Sequence, residues 1–512
     1  MPGEKKKEGA WSSLVKNEDW MTVWLGFLII LLVLIGLRFK TPAFRWMGDG
    51  EFQSVVAENV KDVDGLIKAT QDKNEADLVA AATTLKTAMG GQDRKAIGDA
   101  AKKLGAASGQ DANLKKKAAG ISRKLSGDAG ASIGGVFSAQ NIWTSILIGL
   151  GFLVLAAIGN ALMGRSVGKF IIGFPAVFVL TWLSLFIAGN TSVTYYGLEF
   201  ALWALVLGLF ISNILGLPAW IKEAVRTEYY IKVGLVVMGA GILFGEILQA
   251  GAYGVIQSIV VVAAVWYVAY WLAQKLRVDD DLGAMLATAV SICGVSAAIA
   301  AAGAIQGDKK KLSYVTSIVL VVAVPMMVLM PAIGKALGIP ELVAGAWIGG
   351  TIDTTGAVVA AGALYGDAAM KVATIVKFSQ NVLIGIAAFL LAIAWSFKRG
   401  AETGQRPSAI VIWERFPKFV IGFLVASLAF SFFLSQATID AVKGPLNFVR
   451  LLTFALAFVC IGLETNFKEL LQLEGGRPAA AFLGAQAFNV VWTLILAYVL
   501  FGGYFFPVPM IK

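Results

Sequence analysis

Two short stretches of this 512-residue chain have the residue types and spacing to hold a small ion inside an apolar environment. The first reads Ala289-Val290-Ser291-Ile292-Cys293-Gly294-Val295-Ser296-Ala297-Ala298-Ile299, the second Gly349-Gly350-Thr351-Ile352-Asp353-Thr354-Thr355-Gly356-Ala357-Val358-Val359. Glycines and small polar residues at mid-span let a helix unwind, and unwinding presents amides, carbonyls and hydroxyls to a ligand. The amide end of a half-helix carries partial positive charge and suits an anion, whereas the carbonyl end suits a cation. Ser291, Cys293, Gly294, Ser296, Thr351, Thr354, Thr355 and Gly356 are therefore the candidate substrate-binding residues. Close packing between membrane helices selects small residues too and competes with this reading.

Asp353 is the candidate ion-coupling group, because it follows a charge-free run and a carboxylate at the centre of a membrane helix costs about 2.5–3.5 kcal/mol. Thr354, Gln380 and Asn381 supply further oxygens for a coupled ion. Lys377 could neutralise an anionic substrate or pair with Asp353. It also falls in the first turns of a span, where a lysine snorkels to the interface. Glu464, Lys232 and Arg450, close to span ends, read as interfacial.

The elements that must position these residues are transmembrane helices. With 58% hydrophobic and 15% charged residues and a mean hydropathy of +0.75, the chain needs lipid to cover it. About thirteen windows reach the roughly 20 apolar residues that a bilayer core requires: 20–39, 141–163, 169–189, 197–217, 232–250, 251–274, 282–306, 312–335, 341–365, 372–397, 416–436, 446–466 and 478–503. Helix is their natural state, since an open strand edge in lipid leaves backbone groups unpaired. The fold class expected is an all-α polytopic membrane protein. Its core would be an inverted-repeat transporter with discontinuous helices or re-entrant hairpins, and a small soluble helical bundle would accompany it.

Residues 1–19 read as a cytoplasmic segment, 20–39 as an uncleaved anchor, 40–140 as an extracytoplasmic bundle of two to four helices and 141–512 as the transporter core. In the bundle, Leu78, Ala82, Leu85 and Met89 recur at helical spacing, with breaks expected at Gly90-Gly91, Gly109 and Gly127. Lys and Arg near span ends concentrate on the side of the N-terminus, which places that end in the cytoplasm of a bacterial cell and the chain in its inner membrane. If both interrupted segments were hairpins from opposite faces, Lys309, Lys310 and Lys311 would join the cytoplasmic side. Residues 239–249 and 462–472 echo each other as an inverted repeat would.

The net charge of +10 is explained by these loops, so no nucleic-acid partner is expected. The chain has no histidine, its two cysteines lie in apolar spans, and no nucleophile–base pair, metal cluster or phosphate loop stands out. It does not read as an enzyme, and no cofactor is expected apart from a sodium ion.

Ser291-Ile-Cys-Gly294, Val358-Val-Ala-Ala-Gly362, Ile375-Val-Lys377, Phe416-Pro-Lys-Phe-Val-Ile-Gly-Phe423 and Ile461-Gly-Leu-Glu-Thr465 together resemble the YeiH-like sulfate exporter family, in consistent order over residues 200 to 500. The resemblance implies a relative of the cation:proton antiporter and bile-acid symporter superfamily, with inverted repeats around a mid-membrane site and an elevator motion in a homodimer. Where that family has His-Glu-Val-Ala-Gln, this chain has Asp353-Thr354-Thr355-Gly356-Ala357, and Gln380 stands where it has an arginine after the lysine. Carboxylate, hydroxyl and carbonyl oxygens favour a hard cation, so sodium coupling near Asp353 is the expectation, with proton coupling next. The function expected is cation-coupled secondary transport of a small, sulfate-like anion by alternating access. An anion channel, and a sensor or assembly protein with an extracytoplasmic ligand-binding domain, are the rivals.

Overall fold

The computed structural model describes residues 14–37, 40–195, 198, 200–242, 244–398, 413, 416–465 and 476–509. They are helical almost throughout, the one β-bridge being Trp46 with Asn190. They form two compact units, one of Lys40–Gly151 with Trp182–Phe200 and one of the remainder.

Four helices build the smaller unit's core. After α1 (Glu18–Leu34), which belongs to the larger unit, come α2 (Asp49–Asp72), α3 (Ala76–Gly90), α4 (Arg94–Ala106) and α5 (Ala112–Gly130). Leu78, Ala82, Leu85 and Met89 all turn inward, against Phe52, Leu66, Ile97 and Leu125. Asp93 and Asp111 cap α4 and α5 through first-turn amides, each worth about 1 kcal/mol. The chain breaks at Gly90-Gly91 and Gly109 as expected. Gly127 does not break it: α5 runs on to Gly130, and a side chain at 127 would meet open space. Arg94, which the periodicity does not single out, closes the unit by donating to the carbonyls of Met47, Asp128 and Ala129 at 2.9–3.0 Å while its guanidinium covers the Phe52 ring. Residues 182–200, read from hydropathy as part of the core, pack with this unit instead. Trp46 pairs with the backbone of Gly189 and Thr191, and a Cβ on Gly189 would overlap the Phe44 carbonyl.

In the larger unit follow α6 (Ala139–Leu162) and α7 (Val167–Ala188), both shared with the first unit, then α8 (Phe200–Phe210) continued by a π-turn (Ile211–Gly216), α9 (Thr227–Gly239) and α10 (Phe244–Lys275). Next are α11 (Asp280–Thr288), a π-turn (Ala289–Cys293), α12 (Gly294–Ala304), α13 (Lys309–Ala336), α14 (Glu341–Thr351), α15 (Thr355–Tyr365) and α16 (Asp367–Lys398). The last are α17 (Lys418–Phe432), α18 (Gln436–Glu464) and α19 (Arg477–Phe501). Among the described residues eight segments are long and apolar enough to cross a membrane, one of them, Asp280–Ala304, being interrupted at its middle, and shorter apolar helices accompany them. The chain is thus an all-α, multi-pass membrane protein.

The windows 282–306 and 341–365 do not cross. A straight helix from residue 285 to 307 would separate its ends by about 33 Å, yet a Cβ on Gly307 would lie 3.4 Å from the Met285 sulfur, and Lys311 Nζ sits 2.5 Å from Asp279 Oδ2. That ammonium holds the Asp279 carboxyl below its ordinary range. Likewise Glu341 Oε1 accepts from the Ala368 amide at 2.9 Å, and Tyr365 Oη donates to the Ile339 carbonyl, so α15 returns to where α14 began. Each broken segment is therefore a hairpin. Their bases lie at opposite ends of α13: Lys311 is by the first base, and a Cβ on Gly334 would lie 2.8 Å from the Tyr365 ring at the second. The tips meet between them, where a Cβ on Gly294 would come 3.1 Å from the Asp353 carbonyl. Of the two arrangements open to the sequence, paired hairpins from opposite ends is the one adopted. Part of the 239–249 and 462–472 echo, residues 243 and 466–472, lies outside the described residues.

Close packing fixes the hairpins in place. Cβ atoms on Gly345 and Gly349 would come within 2.6 Å of the Ala369 and Ala373 carbonyls of α16, so here small residues do serve helix approach. A chain with its native cysteines replaced and with Met285→Cys and Gly307→Cys should be joined by a short bis-maleimide and show altered gel mobility after proteolysis between the two sites. A through-running helix predicts no such product.

Candidate functional site

Unwound backbone at the hairpin tips leaves carbonyls on one side and amides on the other, and side chains from three other helices complete the carbonyl side. Lys377 Nζ donates to the Ile292 carbonyl at 2.5 Å and to Gln380 Oε1 at 2.9 Å, and Gln380 Nε2 in turn reaches the Gly350 carbonyl at 3.0 Å. From α19, Gln486 Nε2 donates to the Thr351 carbonyl at 3.0 Å, and Asn489 Nδ2 to the carbonyls of Val290 and Thr351 at 3.3 and 3.4 Å. Gln257 of α10 donates to the Ala346 carbonyl at 2.8 Å. Lys377 is 1% exposed, so it is part of this network and not a snorkelling residue.

Asp353 is as deeply buried, at the second tip beside Gly294. Gly294 has φ +20°, and a Cβ there would overlap Val319, so the close approach of the tips requires glycine. Several buried oxygens around the second tip lack a hydrogen-bond donor: Asp353 Oδ2, Thr351 Oγ1, Asn381 Oδ1, Gln486 Oε1 and Gln257 Oε1. Leaving a buried acceptor unmet costs about 1–3 kcal/mol each, and carboxylate, hydroxyl and carboxamide oxygens are the donors that could hold a hard cation.

The amide sides of both tips line one cavity of about 620 Å³. Cys293, Val295 and Ser296 bring the first turn of α12 to its wall, and Thr354, Thr355, Gly356 and Ala357 bring the first turn of α15. Thr354 caps α15 by accepting from the Ala357 amide at 3.4 Å. Asn381 Nδ2 donates to Thr355 Oγ1 at 3.1 Å, and Cys293 Sγ lies 3.8 Å from the same hydroxyl, tying the two tips together.

The sequence-derived set is therefore divided. Cys293, Ser296, Thr354, Thr355, Gly356 and Asn381 reach the cavity, while Gly294, Thr351, Asp353, Lys377 and Gln380 lie behind the tips. Ser291 belongs to neither face. Its hydroxyl turns back to the Thr288 carbonyl at 3.5 Å inside its own helix, away from the cavity wall. Glu464 and Lys232, read as interfacial, line the cavity, with Thr227 Oγ1 donating to Glu464 Oε2 at 2.9 Å. Arg450 lies 3.5 Å from Asp367 at the base of α16. Gln257, Gln486 and Asn489 were not legible as site residues from hydropathy. A signal existed in α19, where Gln486, Asn489 and Thr493 make a polar stripe at helical spacing along an otherwise apolar span.

The family described as Conserved hypothetical protein 698 matches residues 172–481, which hold both hairpins. The chain belongs to this YeiH-like family. A UPF0324 membrane protein of Rhodopirellula baltica is 44% identical over 372 residues, covering 70% of this chain and 68% of the relative. One from Nitratidesulfovibrio vulgaris is 40% identical over 376 residues, covering 70% and 65%. A more distant one from Corynebacterium glutamicum is 24% identical over 326 residues, covering 62% of this chain and 90% of its own length. The chain thus spans about two thirds of the length of the first two relatives. No solved structure matches it. The family match begins after α1 and the helical bundle, so both lie outside it.

The split of the site can be tested with the two native cysteines. Cys293 on the cavity wall should react with a small hydrophilic thiol reagent, while Cys460, fully buried in α18, should not; mass spectrometry of the modified peptides reads both. Labelling of Cys460 ahead of Cys293 would contradict the assigned wall.

Proposed function

We propose that this protein is a secondary transporter that binds a small anion between its two hairpin tips. The observation that carries the reading is the convergence of two half-helix amide ends, α12 and α15, on one cavity. First-turn amides have no partner within their own helix, and the aligned peptide dipoles favour negative charge there. The hydroxyls of Ser296, Thr354 and Thr355 and the carboxamide of Asn381 would add donors whose geometry adapts to an oxyanion such as sulfate. The carbonyl ends face away from that position, toward Lys377 and the carboxamides.

Sodium coupling fits the unmet oxygens of Thr351, Asp353 and Gln486 behind the second tip, which are the hard donors such an ion takes, with Asn381 Oδ1 unmet on the cavity side. A sodium ion there would neutralise the Asp353 carboxylate and lower the cost of an anion one layer away. Proton binding by Asp353 is the alternative that the same residue supports. Alternating access would move the hairpins and the helices that hold them, α10, α13, α16 and α19, against the rest of the unit.

Folding both hairpins back also sharpens the orientation. Lys309, Lys310 and Lys311 then follow the first hairpin on the same end as Lys275 and Arg277, and tracing the chain through α9 and α10 puts that end with Glu18, Arg165 and Arg226. We assign this end, and with it the N-terminus, to the cytoplasm of a bacterial inner membrane by the excess of basic residues.

Purified protein in liposomes should take up labelled sulfate, or another small oxyanion from a panel, in a manner that saturates and stops when the sodium gradient is removed. Asp353→Asn should reduce uptake by about tenfold or more with the protein still folded, as expected for an intramembrane carboxylate that couples transport. Undiminished uptake without sodium contradicts sodium coupling, and channel-sized currents contradict a transporter.

A further inference from the structure

The first turn of α1 reaches the same cavity. Asn17 caps the helix by accepting from the Asp19 amide at 2.8 Å, and Glu18 and Asp19 follow. Glu18 Oε2 lies 2.9 Å from Arg165 Nη2 and 3.0 Å from Arg226 Nη2, and Asp19 Oδ1 lies 2.8 Å from Lys232 Nζ. All five groups line the cavity whose other wall is the hairpin tips. The helix is fitted closely, with Met21, Val23, Leu25 and Ile29 buried and a Cβ on Gly26 only 2.5 Å from Val236.

These carboxylates reverse the sign of the cavity. Its ionisable lining is four carboxylates (Glu18, Asp19, Glu228 and Glu464) against three cations (Arg165, Arg226 and Lys232), formally −1. Without the two from α1 it is two against three, formally +1. Arg226 and Lys232 lie inside the family-matched segment, and Glu18 and Asp19 outside it. The side chains of Arg226 and Lys232 are only 9% and 14% exposed; besides the α1 carboxylates, Arg226 donates to Asn160 Oδ1 and Lys232 lies 3.5 Å from Glu228 Oε2.

We propose that Arg165, Arg226 and Lys232 form a docking site for a small oxyanion at the cavity mouth, and that Glu18 and Asp19 of α1 occupy it as competing ligands built into the chain. Carboxylate oxygens already sit where an oxyanion's would. Three charged donors within one wall match a ligand with two or more negative oxygens, and displacement of α1's first turn sets how easily it reaches the tips. This inference rests on the anion reading above for what passes through the site, but not for the site itself.

The test uses the full chain and its Glu18→Gln, Asp19→Asn double variant, with sulfate as probe. The first readout is acylation of Lys232 by a small hydrophilic amine reagent, followed by mass spectrometry; the second is the sulfate dependence of uptake. The variant should label at Lys232 at least about fivefold faster, the order of one exposed ion pair, sulfate should slow that labelling, and the apparent KM should fall. The charge-preserving Glu18→Asp variant should label like the wild type. If the double variant does not fold, Asp19→Asn alone gives the same labelling readout. Lys232 reactivity that is unchanged, or raised but indifferent to sulfate, overturns the proposal. If sulfate protects Lys232 in the variant while neither protein takes up any anion, the docking site stands and the transport reading falls.

Discussion

The structure depends on one contact, the meeting of Gly294 with the Asp353 backbone at the tips of two hairpins that come from opposite ends of α13. Backbone that is neither helix nor sheet is tolerated at membrane depth only where protein or a cavity satisfies it. Here both devices are used, and they are used on different faces. Carbonyls of Val290, Ile292, Gly350 and Thr351 are met by Asn489, Lys377, Gln380 and Gln486, while Val295 and Ser296 of α12 and Thr355, Gly356 and Ala357 of α15 are turned to the cavity. The polarity of the site follows from that division.

It also explains why so many polar side chains lie within apolar spans. A buried carbonyl left without a partner costs about 1–3 kcal/mol, more than a typical hydrogen bond contributes on balance, so the carboxamides of α16 and α19 are needed simply to let the tips unwind. Gln486 Oε1, with Thr351 Oγ1 and Asp353 Oδ2, is then left without a donor, whereas Gln380 Oε1 accepts from Lys377 and Asn489 Oδ1 from Thr493. Small residues play a separate part: Gly345 and Gly349 let α14 lie against α16, which places Lys377 and Gln380 behind the tips.

Much of this was legible in the sequence. The small polar runs around Ser296 and Thr355 located the tips, Asp353 stood out by its charge in an apolar run, and the spacing of Leu78, Ala82, Leu85 and Met89 gave the bundle its core. Hydropathy does not distinguish a hairpin from a span of the same length, so the windows 282–306 and 341–365 read as crossings. Polarity alone does not tell which way a side chain points, so the sequence does not separate Ser291 from Ser296 although a π-turn sends Ser291 inward. Long-range ion pairs were beyond reach in principle. Nothing local links Glu18 to Arg226 across 208 positions, and a charge near a span end reads as interfacial until a cavity is seen behind it.

The most direct test of the central claim is to locate a bound anion by anomalous diffraction from crystals grown with selenate or bromide. The account predicts a peak within hydrogen-bonding reach of the first-turn amides of α12 and α15, between Ser296 and Thr355. A peak confined to the carbonyl side of the tips, beside Lys377 and Gln486, would contradict it.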